Sequence, residues 1–383
     1  MLARGLGPIG RGEFAIALAV FSLAATLGSF GQAERLSADL RDDVAINSRP
    51  RYFIVGCISA VAAIAAWVSV QTLGANISTA NAVAVAVPIV SFGLLWRAVA
   101  VSQGKSLVLA TQAAAPAIVR FLLITLIFAT GGLSTFSATA TTTLCTSLGV
   151  LYLWLTLRSA RPQPPASAGA LKPRAFFADV KTGVLQGLPV LGFALCTAVS
   201  LRADVFLLNA LSTPEQVGYY AATVAITESA LAVSAAFKNR MQSAAYTDDP
   251  IPSVRRELLV MLAIVLPIAA LGEAIAHPFT VAMFGVPFAP AVPALRVLIV
   301  AAIALMLVDS GQGLLAVLGR RREMFITSAI GAIVTLLALG LLVPHLGAVG
   351  AGIASLIAYS TVGVASWFIA VRALRSERQV SNE

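Results

Sequence analysis

The chain has 383 residues, of which 58% are hydrophobic and 11% charged, and a formal net charge of +9. A soluble domain carries about 25% charged residues. With a mean hydropathy of +0.90, the composition excludes a soluble globular protein and predicts an all-α polytopic membrane protein. The positive excess is not a nucleic-acid patch, because the basic residues fall in short segments between apolar runs, the arrangement that membrane topology produces. Cys57, Cys145 and Cys196 stand singly in apolar segments, which excludes a disulfide framework and a zinc site. His277 and His345 lie far apart near segment ends and read as interfacial side chains. No metal or other cofactor is expected.

A helix needs about 20 apolar residues to cross the hydrocarbon core. Runs of that kind lie near 13–31, 52–71, 80–101, 106–130, 133–157, 183–209, 217–237, 257–276, 290–318, 323–343 and 347–371, eleven in all. The connections alternate in charge. One set holds Arg35, Arg41, Arg49 and Arg51, then Arg97 and Lys105, then the basic residues of 158–181. It continues with Lys238, Arg240, Arg255 and Arg256, then Arg320 to Arg322, then Arg372, Arg375 and Arg378. The other set, 72–79, 131–132, 210–216, 277–289 and 344–346, has no Lys or Arg. By the positive-inside rule the first set and the C-terminus are cytoplasmic.

The connection around "RPQPPASAGALKPR" has the Pro, Ala and Ser density of a linker. It divides the chain into an N-terminal bundle of five spans (1–158), a cytoplasmic linker (159–182), a C-terminal bundle of six spans (183–371) and a cytoplasmic tail (372–383). The two parts echo one another. "PIGRGEFA" from Pro8 matches "PEQVGYYA" from Pro214, with Gly12, Phe14 and Ala15 answering Gly218, Tyr220 and Ala221. Internal repeats are expected in transporter folds. A full span precedes the second copy and almost nothing precedes the first, so one helix is expected to be missing at the N-terminus.

Three stretches carry a resemblance to a known family. They are "RADVFLLNALSTPEQVGYYAA" from Arg202, the opening "LARGLGPIGRGEF" and the closing "LVPHLGAVGAGIAS". Their order and spacing resemble the polysaccharide-flippase branch of the multidrug/oligosaccharidyl-lipid/polysaccharide exporter superfamily, from its second helix to its twelfth. The resemblance implies two pseudo-symmetric six-helix bundles that alternate between inward-open and outward-open states in a bacterial cytoplasmic membrane. The implied cargo is a polyprenyl-diphosphate-linked oligosaccharide moved to the outer leaflet for polysaccharide biosynthesis. The implied partners are membrane lipids and the glycan polymerase or glycosyltransferases of the same assembly line.

A diphosphate cargo needs fixed cations at membrane depth, where a charge costs about 2.5–3.5 kcal/mol on insertion scales. Arginine suits the task because its planar fork pairs with phosphate oxygens and stays charged. Arg202, Arg120 and Arg296 are the candidate diphosphate contacts. Arg120 lies near mid-span after Pro116. Arg296 lies near a span end, where snorkelling to the interface is easy. Asp204, Glu228 and Asp309 are candidate ion-pair or coupling carboxylates, with Asp309 heading "DSGQG", read as a polar break in its span. Arg202 and Asp204, two residues apart, point about 200° apart on a helix and do not face each other. A cation-coupled multidrug exporter of the same fold is the alternative, and an inactive scaffold in a glycan-assembly complex a further one. An enzyme is not expected. Every outside connection is short, and no nucleophile–base set or nucleotide loop is present.

Overall fold

The computed structural model describes residues 1–41, 49–158, 173–228, 230–245 and 249–381, and among them every regular element is helical. The stretch 159–172 of the expected linker and the last two residues of the tail lie outside the described residues. By contacts the chain divides into two units, one of Met1–Leu6 with Glu13–Leu195, the other of Gly7–Gly12 with Cys196–Glu383.

The first unit contains most of α1 (Leu2–Ser29), then α2 (Gln32–Arg41), α3 (Arg49–Thr72), α4 (Ile77–Ser102), α5 (Ser106–Ala129), α6 (Thr135–Leu157) and the start of α7 (Pro173–Leu211). α4 packs against α2, α3 and α6, and α5 against α6. Lipid is as apolar as leucine, so such contacts rely on small residues that let backbones close up. Gly28 of α1 faces Ser59 of α3 and Ser91 of α4, and the Ser91 hydroxyl donates to the Ala25 carbonyl at 3.1 Å. Gly183 and Gly187, four apart on α7, receive the turn after α1. Any Cβ on Gly187 would stand 2.8 Å from the Phe30 carbonyl oxygen, and Gly31 (φ 66°) turns there against the Gly187 carbonyl. Gln32, fully buried, donates to the Gly183 carbonyl at 3.1 Å. α2 is amphipathic and lays Ala33 and Leu36 on Val55, Leu95 and Val99. Its Asp39 pairs with Arg51, and Arg35 stands 3.8 Å away. Burial pushes the Arg35 guanidinium below its usual value; Arg51 adds to the shift and Asp39 opposes it.

The second unit contains the rest of α7, then α8 (Pro214–Thr227), α9 (Ala230–Ala244), α10 (Pro250–Phe284), a short 3-10 helix (Val286–Ala291), α11 (Val292–Val317) and α12 (Arg321–Ser381). α11 packs against α8, α9, α10 and α12. α12 reverses at Gly347 (φ 52°). Its two arms lie side by side, because Gly331 packs on Val362 and Gln312 of α11 reaches both Thr327 and Ser366.

Nine continuous helices among the described residues are long and apolar enough to cross a membrane. The difference from the eleven expected spans has two sources. The span at 217–237 is divided into α8 and α9, with Glu228 at the end of α8. The last two spans are the two arms of α12 and count as one helix. α1 starts earlier than the expected residue 13, at Leu2, with a kink at Gly7 (φ 67°) just before Pro8. The glycine-rich stretch from Asp309 needs a larger correction. It is not a break, since α11 runs unbroken to Val317. Its glycines are contact points: Gly311 lies against Ser366 and Trp367 of α12, and Gly313 against Lys238 and Gln242 of α9.

Candidate functional site

The two copies of the sequence echo meet inside the second unit. Pro8 opens the helix after the Gly7 kink, and Pro214 is the first residue of α8. Proline suits both places because a first-turn N–H has no helical partner to lose. A Cβ on Gly12 would come 2.9 Å from the Pro214 carbonyl oxygen, and one on Gly218 would overlap the Pro8 carbonyl. Each glycine thus receives the other copy's proline carbonyl. From the same segment Arg11 donates to the Ala221 carbonyl at 2.9 Å. Gln216 closes the other side, its side-chain oxygen accepting from the Ala348 N–H at 3.0 Å beside the Gly347 reversal.

Behind this seam lies a buried polar cluster. Asp204 is 4% exposed. One of its oxygens accepts from the Tyr220 hydroxyl at 2.6 Å and the other from the Val205 N–H at 2.7 Å. The Tyr220 oxygen also lies 3.2 Å from the Ser355 hydroxyl of α12. Tyr359 follows one turn along, within electrostatic reach of Asp204. A carboxylate at membrane depth persists only when its lone pairs are taken up. This one is, and it ties α7, α8 and α12 together.

Arg202 points the other way around α7, as the 200° offset requires. Its Nη1 donates to Glu228 Oε1 at 2.8 Å. Both side chains are half-open, at 35% and 39% exposure, and this is the one ion pair that joins two of the candidate residues among those described. Arg11 approaches the same face of α8, since Ala221 and Glu228 are seven residues apart, and it feels the Glu228 charge. An apolar groove of about 320 Å³ begins at the neighbouring Thr227. Ile268, Gly272, Ile299 and Ile303 are among the residues that line it.

The other candidates are held differently. Arg296 stands at the start of α11, 56% exposed, with its Nε 3.9 Å from Glu273; the preceding residue, Leu295, lines the groove. Asp309 accepts from the Ser234 hydroxyl at 2.9 Å. Arg120, in the first unit, is half-buried on α5 within electrostatic reach of Cys145 of α6, and forms no ion pair among the described residues. No group of His, Cys, Asp and Glu among the described residues could hold a metal ion.

No known family profile and no curated protein matches the sequence. Solved structures do. An inward-facing conformation of a multidrug resistance MATE family transporter of the MOP superfamily superposes with a TM-score of 0.65 at 16% identity, over 99% of this chain and 95% of that one. The outward-facing conformation of a MATE family transporter gives 0.60 at 16%, over 98% and 88%. The Vibrio cholerae MATE transporter VcmN in its bent form gives 0.58 at 17%, over 99% and 89%. The chain has the MATE fold.

Within this MATE-fold chain, sequence reasoning had expected Glu228 to pair with one of the candidate arginines but had not singled out Arg202. It missed Arg11, Tyr220 and Ser355 as members of the polar interior. The signal for Arg11 was available. The echo puts it directly before Gly12, whose counterpart Gly218 lies three residues before Ala221, so any contact between the copies carries Arg11 to α8.

Proposed function

We propose that this protein is an alternating-access transporter whose cargo is an anionic lipid, specifically a polyprenyl-diphosphate-linked oligosaccharide carried from the cytoplasmic to the outer leaflet. The observation that carries the reading is the half-open Arg202–Glu228 pair with Arg11 on the same helix face. Two guanidiniums near one accessible carboxylate offer forked donors, which suit the oxygens of a diphosphate. The apolar groove beginning at Thr227 suits the lipid part of the same cargo. Solved MATE structures in inward-facing, outward-facing and bent forms support alternating access as the mode of movement.

The second reading, a multidrug exporter, draws on those same neighbours, one of which is described as a multidrug resistance transporter. A cationic drug would be drawn to an open carboxylate. Here Asp204 is sealed by Tyr220, and Glu228 is already neutralised by Arg202.

Reconstituted proteoliposomes separate the two. A fluorescent polyprenyl-diphosphate oligosaccharide is bleached by dithionite only in the exposed leaflet. The protein should raise the bleached fraction with time, Arg202→Gln should slow it, and a neutral polyprenol should be unaffected. Efflux of a cationic dye with no movement of the diphosphate lipid would favour the exporter.

A further inference from the structure

The carboxylates of the second unit divide into fixed and movable ones. Asp204 is fixed, with both oxygens engaged and four per cent exposure. Glu228 differs in three ways. It is 39% exposed, so a ligand can reach it. It holds Arg202 through a single hydrogen bond, although a guanidinium offers five donors and favours two-point contact with an oxyanion. And it stands at the C-terminal cap of α8, after Thr227, whereas Asp204 lies inside α7.

We infer that Glu228 is an internal stand-in for the cargo: it occupies Arg202 while the site is empty and yields it to the phosphate oxygens of an anionic lipid. This deepens the proposed function and rests on it. The chemistry is an exchange of one oxyanion for another on the same guanidinium. Arg11 of α1, whose guanidinium donates to the Ala221 carbonyl seven residues before Glu228, is the second cation the incoming diphosphate meets once the carboxylate has moved. Filling the site with its own anion keeps Arg202 from being an unpaired charge at membrane depth. It also sets a threshold for entry. A singly charged phospholipid phosphate gains little over the carboxylate already present, whereas a diphosphate can engage both arginines. Glu228 is therefore a specificity-determining residue, and Asp204 is not.

The test uses the full chain in nanodiscs, with undecaprenyl diphosphate as the probe and undecaprenol as its neutral control. The variants are Glu228→Gln, Glu228→Asp, Arg202→Gln and the double variant Glu228→Gln/Arg202→Gln. Removing the competing charge while keeping the side-chain volume should tighten diphosphate binding about tenfold, with undecaprenol unchanged. Glu228→Asp, which keeps the charge, should stay close to wild type. In the Arg202→Gln background the Glu228→Gln effect should vanish. If Glu228→Gln binds the diphosphate no more tightly than wild type while Arg202→Gln weakens it, the exchange is wrong and the anionic-lipid reading stands. If both Glu228→Gln and Glu228→Asp lose binding together, Glu228 is a structural support and the exchange is again wrong. If wild type and Glu228→Gln both fail to distinguish undecaprenyl diphosphate from undecaprenol, the exchange and the anionic-lipid reading fall together.

Discussion

Replacing Gly218 with alanine places a methyl group where the Pro8 carbonyl oxygen sits. The obstacle is backbone, so it cannot rotate away as a side-chain tip would, and one of the two helix starts must move. Overpacking of this sort costs about 1–3 kcal/mol, a factor of about 5 to 150 in the population of the closed seam. The partner glycine should be milder. A methyl on Gly12 would stand 2.9 Å from the Pro214 oxygen and 3.1 Å from the Gly218 nitrogen, distances that a shift of a few tenths of an ångström relieves. Gly340 of α12 supplies the control, since nothing lies within 4 Å of a Cβ there. Alanine at that helical position should be neutral or gain up to about 1 kcal/mol from helix propensity. The assay is thermal unfolding of the purified protein in one detergent, combined with limited proteolysis at the segment before Gly12. The expected order of stability is Gly340→Ala at or above wild type, then Gly12→Ala, then Gly218→Ala, with proteolysis fastest in the last. A Gly218→Ala protein as stable and as protease-resistant as wild type would refute the contact between the two echo copies.

Two further outcomes follow from the same packing. Tyr220→Phe removes the hydroxyl that satisfies Asp204 and should cost about 1–3 kcal/mol, the penalty for a buried acceptor left without its donor. Adding Asp204→Asn should recover part of that loss in a thermal-shift series, because a neutral amide is cheaper to bury than an unpaired carboxylate. In the first unit, Gly187→Leu drives a large side chain into the Phe30 carbonyl and the Gln32 amide, and should abolish folded protein in size-exclusion chromatography, whereas Gly56→Ala, with only the tip of Phe92 nearby at 3.6 Å, should be tolerated.

The helical class was legible because it follows from composition and run length, which do not depend on tertiary contacts. The count of eleven spans was not, because one run is divided into α8 and α9 and two others are arms of α12. The opposed directions of Arg202 and Asp204 were legible, because the angle per residue in a helix is fixed. Their partners were not. Arg202 meets Glu228 across 26 positions, and Tyr220 meets Ser355 across 135, separations over which no periodicity carries information. The stretch from Asp309 misled because glycine next to polar residues is the signature of a turn in water, whereas at membrane depth glycine is also the residue that lets helices touch. The division of α7 at Leu195, with Gly183 and Gly187 serving one unit and Arg202 and Asp204 the other, was hidden because its hydropathy is continuous across that point. The echo at Pro8 and Pro214 showed that two segments are alike, and the structure adds that they touch.

Arg202 is proposed to hold an anionic, diphosphate-linked cargo. The most direct measurement is made on membrane lipids extracted from the native host after deletion of the gene, read by mass spectrometry for polyprenyl-diphosphate oligosaccharide. This intermediate should accumulate, the wild-type gene should clear it, and Arg202→Ala expressed at the same level should not. Clearance by Arg202→Ala as complete as by wild type would contradict that role.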